Sequence, residues 1–122
     1  MKKILIVDDS DTLRDSIRSF LIENGLDVLE ASNGKSGLEI IKNTPDLDLI
    51  IADVNMPEMN GIEMCKRISC DQNIKKIPIF MLTTETSPEL KRQGKEYGVM
   101  AWIAKPFTME KVFLAIKKVL DM

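Results

Sequence analysis

Five short hydrophobic runs are spaced along the chain, with amphipathic stretches between them. Most of the runs are aliphatic or β-branched throughout and do not alternate with polar residues, which is typical of parallel strands covered on both faces. We therefore predict strands at 3–7, 27–31, 47–52, 77–82 and 100–104.

The stretches between the strands carry apolar residues at helical spacing. In the first stretch, an apolar face at i, i+4, i+7 and i+8 is formed by Leu13, Ile17, Phe20 and Leu21. Ser87 and Thr108 are typical N-caps and mark the starts of the last two helices. Gly25 and Pro45 mark the ends of the first two. The predicted helices cover 11–24, 35–43 and 61–70, a segment starting at 87–90, and 108–120.

Strands and helices alternate five times along the chain, which makes the fold class α/β. A (βα)5 order of this kind predicts a doubly wound, five-stranded parallel sheet with right-handed crossovers and helices on both faces. No linker, sequence repeat or low-complexity segment divides the chain, so we expect a single domain over 1–122.

The composition is that of a globular protein and removes several classes of function. The 122 residues are 44% hydrophobic and 30% charged, and the net charge of −2 gives no global attraction to nucleic acid or to anionic membranes. The chain contains no His, which excludes zinc sites built on imidazole and His-based catalytic triads. No apolar run approaches the ~18 residues of a membrane-spanning helix.

The two cysteines indicate a reducing compartment. Cys65 and Cys70 are too few for a disulfide framework and lack the CxxC spacing of a redox or metal motif. The N-terminal apolar stretch is ended by Asp8 and Asp9, which is too early for a signal peptide. We therefore expect a cytoplasmic protein with reduced thiols.

Polar residues stand where four of the predicted strands end. Asp8 and Asp9 follow the first strand, Asp53 the third, Thr83 the fourth and Lys105 the fifth. In an open α/β sheet, ligands bind beyond the carboxyl ends of the strands. If these four strands are neighbours, the five side chains converge on one site.

The charges of these residues predict a metal-assisted phosphoryl site. Two carboxylates ~4 Å apart repel by roughly 4 kcal/mol at an effective dielectric of ~20, so three carboxylates need a cation among them. A set of oxygen ligands favours Mg²⁺ over zinc. A divalent ion and Lys105 balance three aspartates, and one carboxylate can then attack phosphorus to form an aspartyl phosphate while Thr83 contacts the phosphoryl group.

Each of these residues also has an ordinary structural explanation when it is taken alone. Acidic residues after the first strand, Asp11 among them, would suit the positive end of the first helix, at ~0.3–1 kcal/mol each. Taken alone, Asp53 could be a turn former, Thr83 a strand former and Lys105 a solvated charge. Their joint placement at successive strand ends is what favours a functional site.

Four segments of the chain resemble the signature blocks of bacterial response-regulator receiver domains, the superfamily of the chemotaxis protein CheY. The segments read ILIVDDS, DLIIADVNMPEMNG, IPIFMLTTE and WIAKPFT, and they occur in the family's order and spacing. The resemblance covers essentially the whole chain. It implies a flavodoxin-like (CheY-like) fold with strand order 2-1-3-4-5.

The resemblance also implies a phosphorylation site with its metal. Asp53 matches the phosphoacceptor of the family. Asp9, Asp53 and the backbone carbonyl of Asn55 match the direct ligands of Mg²⁺, and Asp8 matches the acid that acts on the ion through water. Mn²⁺ is the alternative ion.

Three further residues match the phosphoryl-binding and switch positions of the family. Thr83 matches the hydroxyl that moves to the phosphoryl group, and Lys105 matches the family's lysine, which a cis peptide bond joins to Pro106. Trp102 stands at an aromatic switch position that is usually Tyr or Phe. Because the indole is larger, half-buried packing is the alternative role of Trp102.

Residues beside the phosphoacceptor and the switch hydroxyl match positions that tune dephosphorylation. Asn55 and Glu85 are similar to their counterparts in fast-cycling chemotaxis regulators. Thr84 replaces a usual Ala and would slow the hydrolysis of the acyl phosphate.

The function that the resemblance implies is a two-component response regulator, a phosphorylation-controlled switch and not an enzyme. We expect a CheA-like histidine kinase as phosphoryl donor and a role in chemotaxis, with a flagellar motor switch protein or a phosphatase as further partner. We expect no output domain after Met122. We therefore expect a monomer that docks partners through 88–119 and binds neither DNA nor membrane.

Three other functions stay open as alternatives. Within the family, the chain would act as a phosphate sink or as a phosphorelay intermediate. Outside the family, a haloacid-dehalogenase-type phosphatase also forms an aspartyl phosphate, but it uses a second Asp two residues later as general acid. Asn55 occupies that position and cannot donate a proton in this way.

Overall fold

The computed structural model describes residues 1–85 and 87–122, and these ranges contain five strands and five helices in strict alternation. The strands are β1 Lys3–Val7, β2 Asp27–Ala31, β3 Leu49–Asp53, β4 Ile79–Thr83 and β5 Val99–Ala104. The helices are α1 Asp11–Glu23, α2 Gly34–Lys42, α3 Gly61–Cys70, α4 Pro88–Glu96 and α5 Met109–Leu120. The strands form one parallel sheet in the order β2-β1-β3-β4-β5, which confirms the predicted fold class and strand order.

The predicted boundaries differ from the observed ones mainly at the third and fourth strands. The predicted strands at 47–52 and 77–82 begin two residues too early, because Leu47 and Ile77 are apolar and buried but lie in the loops before β3 and β4. An apolar run marks burial and does not by itself mark pairing in a sheet. Both strands instead run one residue further, so that they include the polar residue at their ends.

The helix ends follow the capping residues that the sequence indicates. The side chains of Ser87 and Thr108 accept hydrogen bonds from backbone N–H groups one turn into α4 and α5. Gly25 has a φ of 85°, which glycine adopts without strain, and it follows the C-cap of α1. The second helix ends at Lys42, before Pro45.

Two hydrophobic clusters cover the two faces of the sheet. Along β1, the odd residues Leu5 and Val7 belong to the cluster under α2, α3 and α4, whereas the even residues Ile4 and Ile6 belong to the cluster under α1 and α5. All four side chains are fully buried. Complete burial of a side chain of this size contributes about 1.5–3 kcal/mol, so the central strand is fixed firmly in the molecule.

The start of α3 is held against the end of β3 by a glycine. The N–H of Gly61 donates to the carbonyl of Val54 at 2.9 Å. A Cβ at position 61 would lie 2.4 Å from the carbonyl oxygen of Asp53, so any side chain there would push the strand end and the helix apart. The close approach fixes where Asp53 leaves the sheet.

The two cysteines and the lengths of the helices bear on the class of protein. Cys65 is buried and Cys70 is exposed, and neither forms a disulfide. Within 1–85 and 87–122, no helix has both the length and the apolar character needed to cross a bilayer.

Candidate functional site

Three aspartates meet at the carboxyl edge of the sheet. Asp8, Asp9 and Asp53 each place a carboxylate oxygen within 4.8 Å of the other two, and we refer to these three residues as the acidic cluster. Asp8 and Asp53 are buried, and Asp9 is exposed. The convergence expected from neighbouring strands therefore occurs for the aspartates of β1 and β3.

The first loop of the chain fixes Asp8 inside the acidic cluster. The Oδ1 atom of Asp8 accepts a hydrogen bond from the N–H of Ser10 at 2.8 Å, and the N–H of Asp8 donates to the carbonyl of Ala31 at the end of β2. Ser10 is the N-cap of α1, and its side chain accepts from the N–H of Leu13. Ser10 and not an aspartate is therefore the N-cap of this helix, and Asp11 lies in its first turn, where an acidic side chain suits the positive end of a helix.

Asp53 is held between a backbone N–H and a cation. Its Oδ1 atom accepts a hydrogen bond from the N–H of Asn55 at 3.2 Å. Its Oδ2 atom lies 3.2 Å from Nζ of Lys105, and the same ammonium group lies 3.9 Å from Oδ2 of Asp8. One lysine thus faces both buried carboxylates, as its position at the end of β5 predicts.

The loop after β5 sets the position of that lysine. The peptide bond between Lys105 and Pro106 is cis, as the family resemblance implies. The N–H of Lys105 donates to the carbonyl of Thr83 at 2.8 Å, so the hydrogen-bond ladder between β4 and β5 continues to the edge where the site lies.

The surroundings of Asp8 in the acidic cluster disfavour the charged form of its carboxyl. Burial raises the pKa of its carboxyl above the ordinary value, and the charges of Asp53 and Asp9 raise it further, whereas the N–H of Ser10 and the charge of Lys105 lower it. Its Oδ2 atom is buried and has no hydrogen-bond donor within residues 1–85 and 87–122. A buried carboxylate oxygen without a donor costs free energy, so this atom is suited to a cation or to a water that a cation binds.

The donor set of the acidic cluster fits a hard divalent cation. All three side chains offer oxygen, and none offers nitrogen or sulfur. Such a set is typical of Mg²⁺ or Mn²⁺ and not of a zinc site. The Oδ2 atom of Asp8, which accepts no hydrogen bond from the described residues, and the excess of negative charge both agree with that chemistry.

Thr83 is buried at the end of β4, where its hydroxyl oxygen accepts a backbone hydrogen bond. The Oγ1 atom accepts a hydrogen bond from the N–H of Glu85 at 2.9 Å. Because the hydroxyl acts there as acceptor, its own O–H stays available to donate to another oxygen. Thr84 and Glu85 are exposed, and so is Asn55 beside the acidic cluster.

Trp102 is half-buried on β5 and packs against the α4 face of the sheet. The indole occupies the space that a side chain at position 94 would need, because a Cβ on Gly94 would lie 2.3 Å from Cζ2 of Trp102. The larger aromatic ring therefore has a slot of its own, which the glycine of α4 provides.

Sequence reasoning missed two features of the site's loops. Ser10 caps α1, and a Ser just before a helical pattern is a signal that could have revealed it. In the loop after β3, Glu58 has a φ of 67°, and the N–H of Met59 bonds back to the carbonyl of Pro57. Nothing in the sequence indicates a left-handed backbone at a glutamate.

Known proteins share both the sequence and the fold of this chain. The family model of the response regulator receiver domain matches residues 4–117. Chemotaxis protein CheY1 of Helicobacter pylori strain J99 is 42% identical over 107 residues, which cover 87% of this chain and 86% of the relative. A crystal structure of chemotaxis protein CheY4 of Vibrio cholerae gives a TM-score of 0.90 at 41% identity and covers 98% of this chain and 99% of that one.

A similar sequence also occurs inside a much larger protein. Histidine kinase P4 of Formosa agariphila is 41% identical over 119 residues, which cover 97% of this chain but only 8% of that protein. Sequences like this one are therefore found both as CheY proteins and as one segment of a kinase.

The acidic cluster predicts that Asp8→Asn stabilises the metal-free protein. Asn keeps the acceptor for the N–H of Ser10 and removes one of three repelling charges, so in EDTA we expect the free energy of unfolding to rise by about 1 kcal/mol or more. The gain is largest at pH values well above the raised pKa of Asp8, where its carboxylate is charged. Because burial raises the folded-state pKa of Asp8, the gain should shrink as the pH falls through that pKa and vanish below the unfolded value.

Urea denaturation in EDTA at several pH values measures this effect. Asp15→Asn is the control, because it removes an exposed carboxylate outside the acidic cluster. An Asp8→Asn variant less stable than the original protein at neutral pH would show that other contacts of Asp8 outweigh the repulsion among the three carboxylates.

Proposed function

Because this chain belongs to the response regulator receiver domain family of two-component signalling, we propose that it accepts a phosphoryl group from a histidine kinase on Asp53. The phosphorylated form then signals by docking a partner. The observation that carries the proposal is the environment of Asp53, whose Oδ2 atom lies 3.2 Å from Nζ of Lys105 within an all-oxygen cluster. Receiver domains bind Mg²⁺ through acidic residues of this kind.

Asp53 is the nucleophile in the proposed transfer. The N–H of Asn55 on Oδ1 fixes the orientation of the carboxylate. A carboxylate oxygen forms a bond to phosphorus while the bond from phosphorus to the donor histidine nitrogen breaks, and the electron pair of that bond leaves with the imidazole. The product is an aspartyl phosphate, and free histidine is restored on the kinase.

We assign the metal ligands within the same proposal. Asp9, Asp53 and the backbone carbonyl of Asn55 would hold Mg²⁺ directly, and Asp8 would act through a bound water, with Mn²⁺ as the alternative ion. When bound, the ion neutralises charge on the transferred phosphoryl group. The Oδ2 atom of Asp8 supports its role, because it accepts no hydrogen bond from the described part of the chain and a water on the ion would donate one.

Lys105 and Thr83 recognise the new charge after the transfer. Lys105 already faces Asp53, so its ammonium group can pair with a phosphoryl oxygen. The hydroxyl of Thr83 keeps its proton for donation, because its oxygen accepts from the N–H of Glu85. A hydrogen bond from Thr83 to the phosphoryl group would pull the loop after β4 toward the site.

Trp102 carries this movement to the docking face in our proposal. Thr83 pairs with Ala104 in the register between β4 and β5, and Met81 pairs with Trp102 on the same strands. The indole in turn fills the slot over Gly94 of α4. A displacement at the end of β4 therefore changes the surface over 88–119, where we expect partners to dock.

Hydrolysis of the aspartyl phosphate would end the signal, and three exposed side chains would control how water reaches it. Asn55 lies two residues after the phosphoacceptor, Thr84 and Glu85 directly follow Thr83, and all three are open to solvent. We propose that Asn55 and Glu85 admit and orient water at the acyl phosphate and that Thr84 hinders it. The protein assists only its own phosphorylation and dephosphorylation, and it is not an enzyme acting on other substrates.

The chemotaxis role rests on the relatives. The CheY1 protein of Helicobacter pylori and the CheY4 protein of Vibrio cholerae are named chemotaxis proteins, and both are similar to almost the entire chain. We therefore propose a CheA-like kinase as donor, and a flagellar motor switch protein or a phosphatase as further partner. A monomeric state and a cytoplasmic location belong to the same proposal.

One observation favours a second candidate function. The similarity to a segment of a histidine kinase supports a receiver that passes or absorbs phosphate, either as a phosphorelay intermediate or as a phosphate sink. A haloacid-dehalogenase-type phosphatase gains no support from the site, because Asn55 stands where the general acid is needed and its side-chain amide has no acidic proton to give.

Replacing Asp53 by Asn should abolish phosphorylation. The amide of Asn has no nucleophilic carboxylate oxygen, so we expect the full chain to gain one phosphoryl group from acetyl phosphate with Mg²⁺, and the Asp53→Asn variant to gain none. Intact mass spectrometry under acidic quench measures the transfer. Asp121→Asn, at an exposed C-terminal position, should be labelled like the original protein, and full labelling of Asp53→Asn would overturn the assignment.

The slot over Gly94 predicts a fluorescence effect. Trp102 is the sole tryptophan of the chain, so its emission is unambiguous. In Gly94→Ala the new Cβ would displace the indole toward water, and we expect a red-shifted emission. We also expect a smaller response to beryllofluoride, which mimics the phosphoryl group in the presence of Mg²⁺.

Gln93→Ala is the matched control for this substitution, because Gln93 is the exposed neighbour of Gly94 in α4. It should behave like the original protein in both measurements. If Gly94→Ala has the same emission and the same response as the control, then the indole does not depend on the slot.

A further inference from the structure

Arg14 of α1 contacts the backbone of the acidic cluster, although the Arg14 side chain has no atom that could bind a cation. Its guanidinium group donates a hydrogen bond through Nη1 to the backbone carbonyl of Asp8, and through Nη2 to the carboxylate of Asp11. Its Nε atom lies 3.4 Å from Oε1 of Glu30 on β2, an ion pair without a hydrogen bond. Only 13% of the Arg14 side chain is exposed, so its bond to the carbonyl of Asp8 is partly buried, whereas the carboxylate of Asp11 is open to solvent.

The carbonyl that Arg14 binds belongs to the peptide bond between Asp8 and Asp9. A peptide group is planar, so holding its oxygen fixes the plane from the Cα atom of Asp8 to that of Asp9. The N–H of Asp8 is already bound to the carbonyl of Ala31, and Oδ1 of Asp8 to the N–H of Ser10. The bond from Arg14 is the contact that orients the link from Asp8 to Asp9.

We propose that Arg14 is a positioning residue that sets the Asp8–Asp9 peptide so that both carboxylates face the same cation. The inference rests on the proposed function, because it concerns the Mg²⁺ site that phosphorylation of Asp53 needs. Groups that orient the ligands of a metal without touching it commonly change metal affinity by about 10–100-fold when they are removed.

The sign of the effect separates positioning from plain electrostatics. Arg14 adds positive charge near the acidic cluster, so its removal should strengthen cation binding if charge alone matters. If Arg14 positions the peptide, its removal should weaken cation binding, because Asp9 loses its fixed direction relative to Asp8. The two explanations therefore predict opposite changes in the affinity for Mg²⁺.

Arg18 is a matched control on the same helix. It lies one turn after Arg14 and also pairs with Glu30, through Nη1 at 3.2 Å. It forms a second ion pair with Asp15 at 3.3 Å, which also lies on α1. Arg18 thus shares the charge and one partner of Arg14, whereas the bond to the carbonyl of Asp8 comes from Arg14.

Isothermal titration calorimetry of the full chain with MgCl₂ tests the proposal. We expect the Kd for Mg²⁺ to rise about tenfold or more in Arg14→Gln, and to change less than about twofold in Arg18→Gln. Arg14→Lys should fall between Arg14→Gln and the original protein, because its ammonium group can still donate to the carbonyl of Asp8 but lacks the planar fork. Urea denaturation in EDTA reports the structural cost of each variant separately.

The outcomes distinguish this inference from the proposed function. If the original protein binds Mg²⁺ and Arg14→Gln binds it equally well or more tightly, the positioning role is overturned while the metal site stands. If the original protein binds no Mg²⁺, the proposed function fails, and the role of Arg14 fails with it. Should Arg14→Gln not fold, Arg14→Lys decides, and an affinity for Mg²⁺ equal to that of the original protein counts against the proposal.

Discussion

The repulsion among three aspartates is the constraint on which the rest of this structure depends. Carboxylate oxygens of the acidic cluster lie within 4.8 Å of one another, and a pair of charges at that distance repels by about 3 kcal/mol at an effective dielectric of ~20. Two of the three residues are buried, which adds a desolvation cost. A fold keeps such an arrangement only if the surrounding structure is rigid enough to hold it. Binding of a divalent ion then relieves the repulsion, so the free energy that the metal-free fold loses adds to the affinity for the ion.

The sheet and its loops provide that rigidity. The strand β1 is buried on both faces, and the close contact at Gly61 fixes where β3 ends, so the chain cannot relax at either Asp8 or Asp53. Lys105 relieves part of the repulsion from the opposite side, at 3.2 Å from Asp53 and 3.9 Å from Asp8. The same elements that hold the charges together thus leave them poised for a cation and a phosphoryl group.

The sequence predicts the parts of this arrangement that depend on strand order and on local pattern. Strand ends carry Asp8, Asp53, Thr83 and Lys105, and the parallel order of the sheet brings the first two and the lysine together. The contact of Gly94 with Trp102 and the bond from Arg14 to the carbonyl of Asp8 depend instead on how helices seat against strands. Such contacts leave no periodic signal in the sequence. A glycine or an arginine on a helix gives the same sequence pattern whether it contacts a neighbouring strand or faces water.

The most direct test of the central claim is a crystal structure of the protein with Mn²⁺, measured with the anomalous signal of the metal. The account predicts one anomalous peak at the carboxyl edge of the sheet, within ordinary coordination distance of ~2.2 Å from carboxylate oxygens of both Asp9 and Asp53. An ordered peak elsewhere, or a fully occupied ion that contacts only one of these two carboxylates, would contradict it.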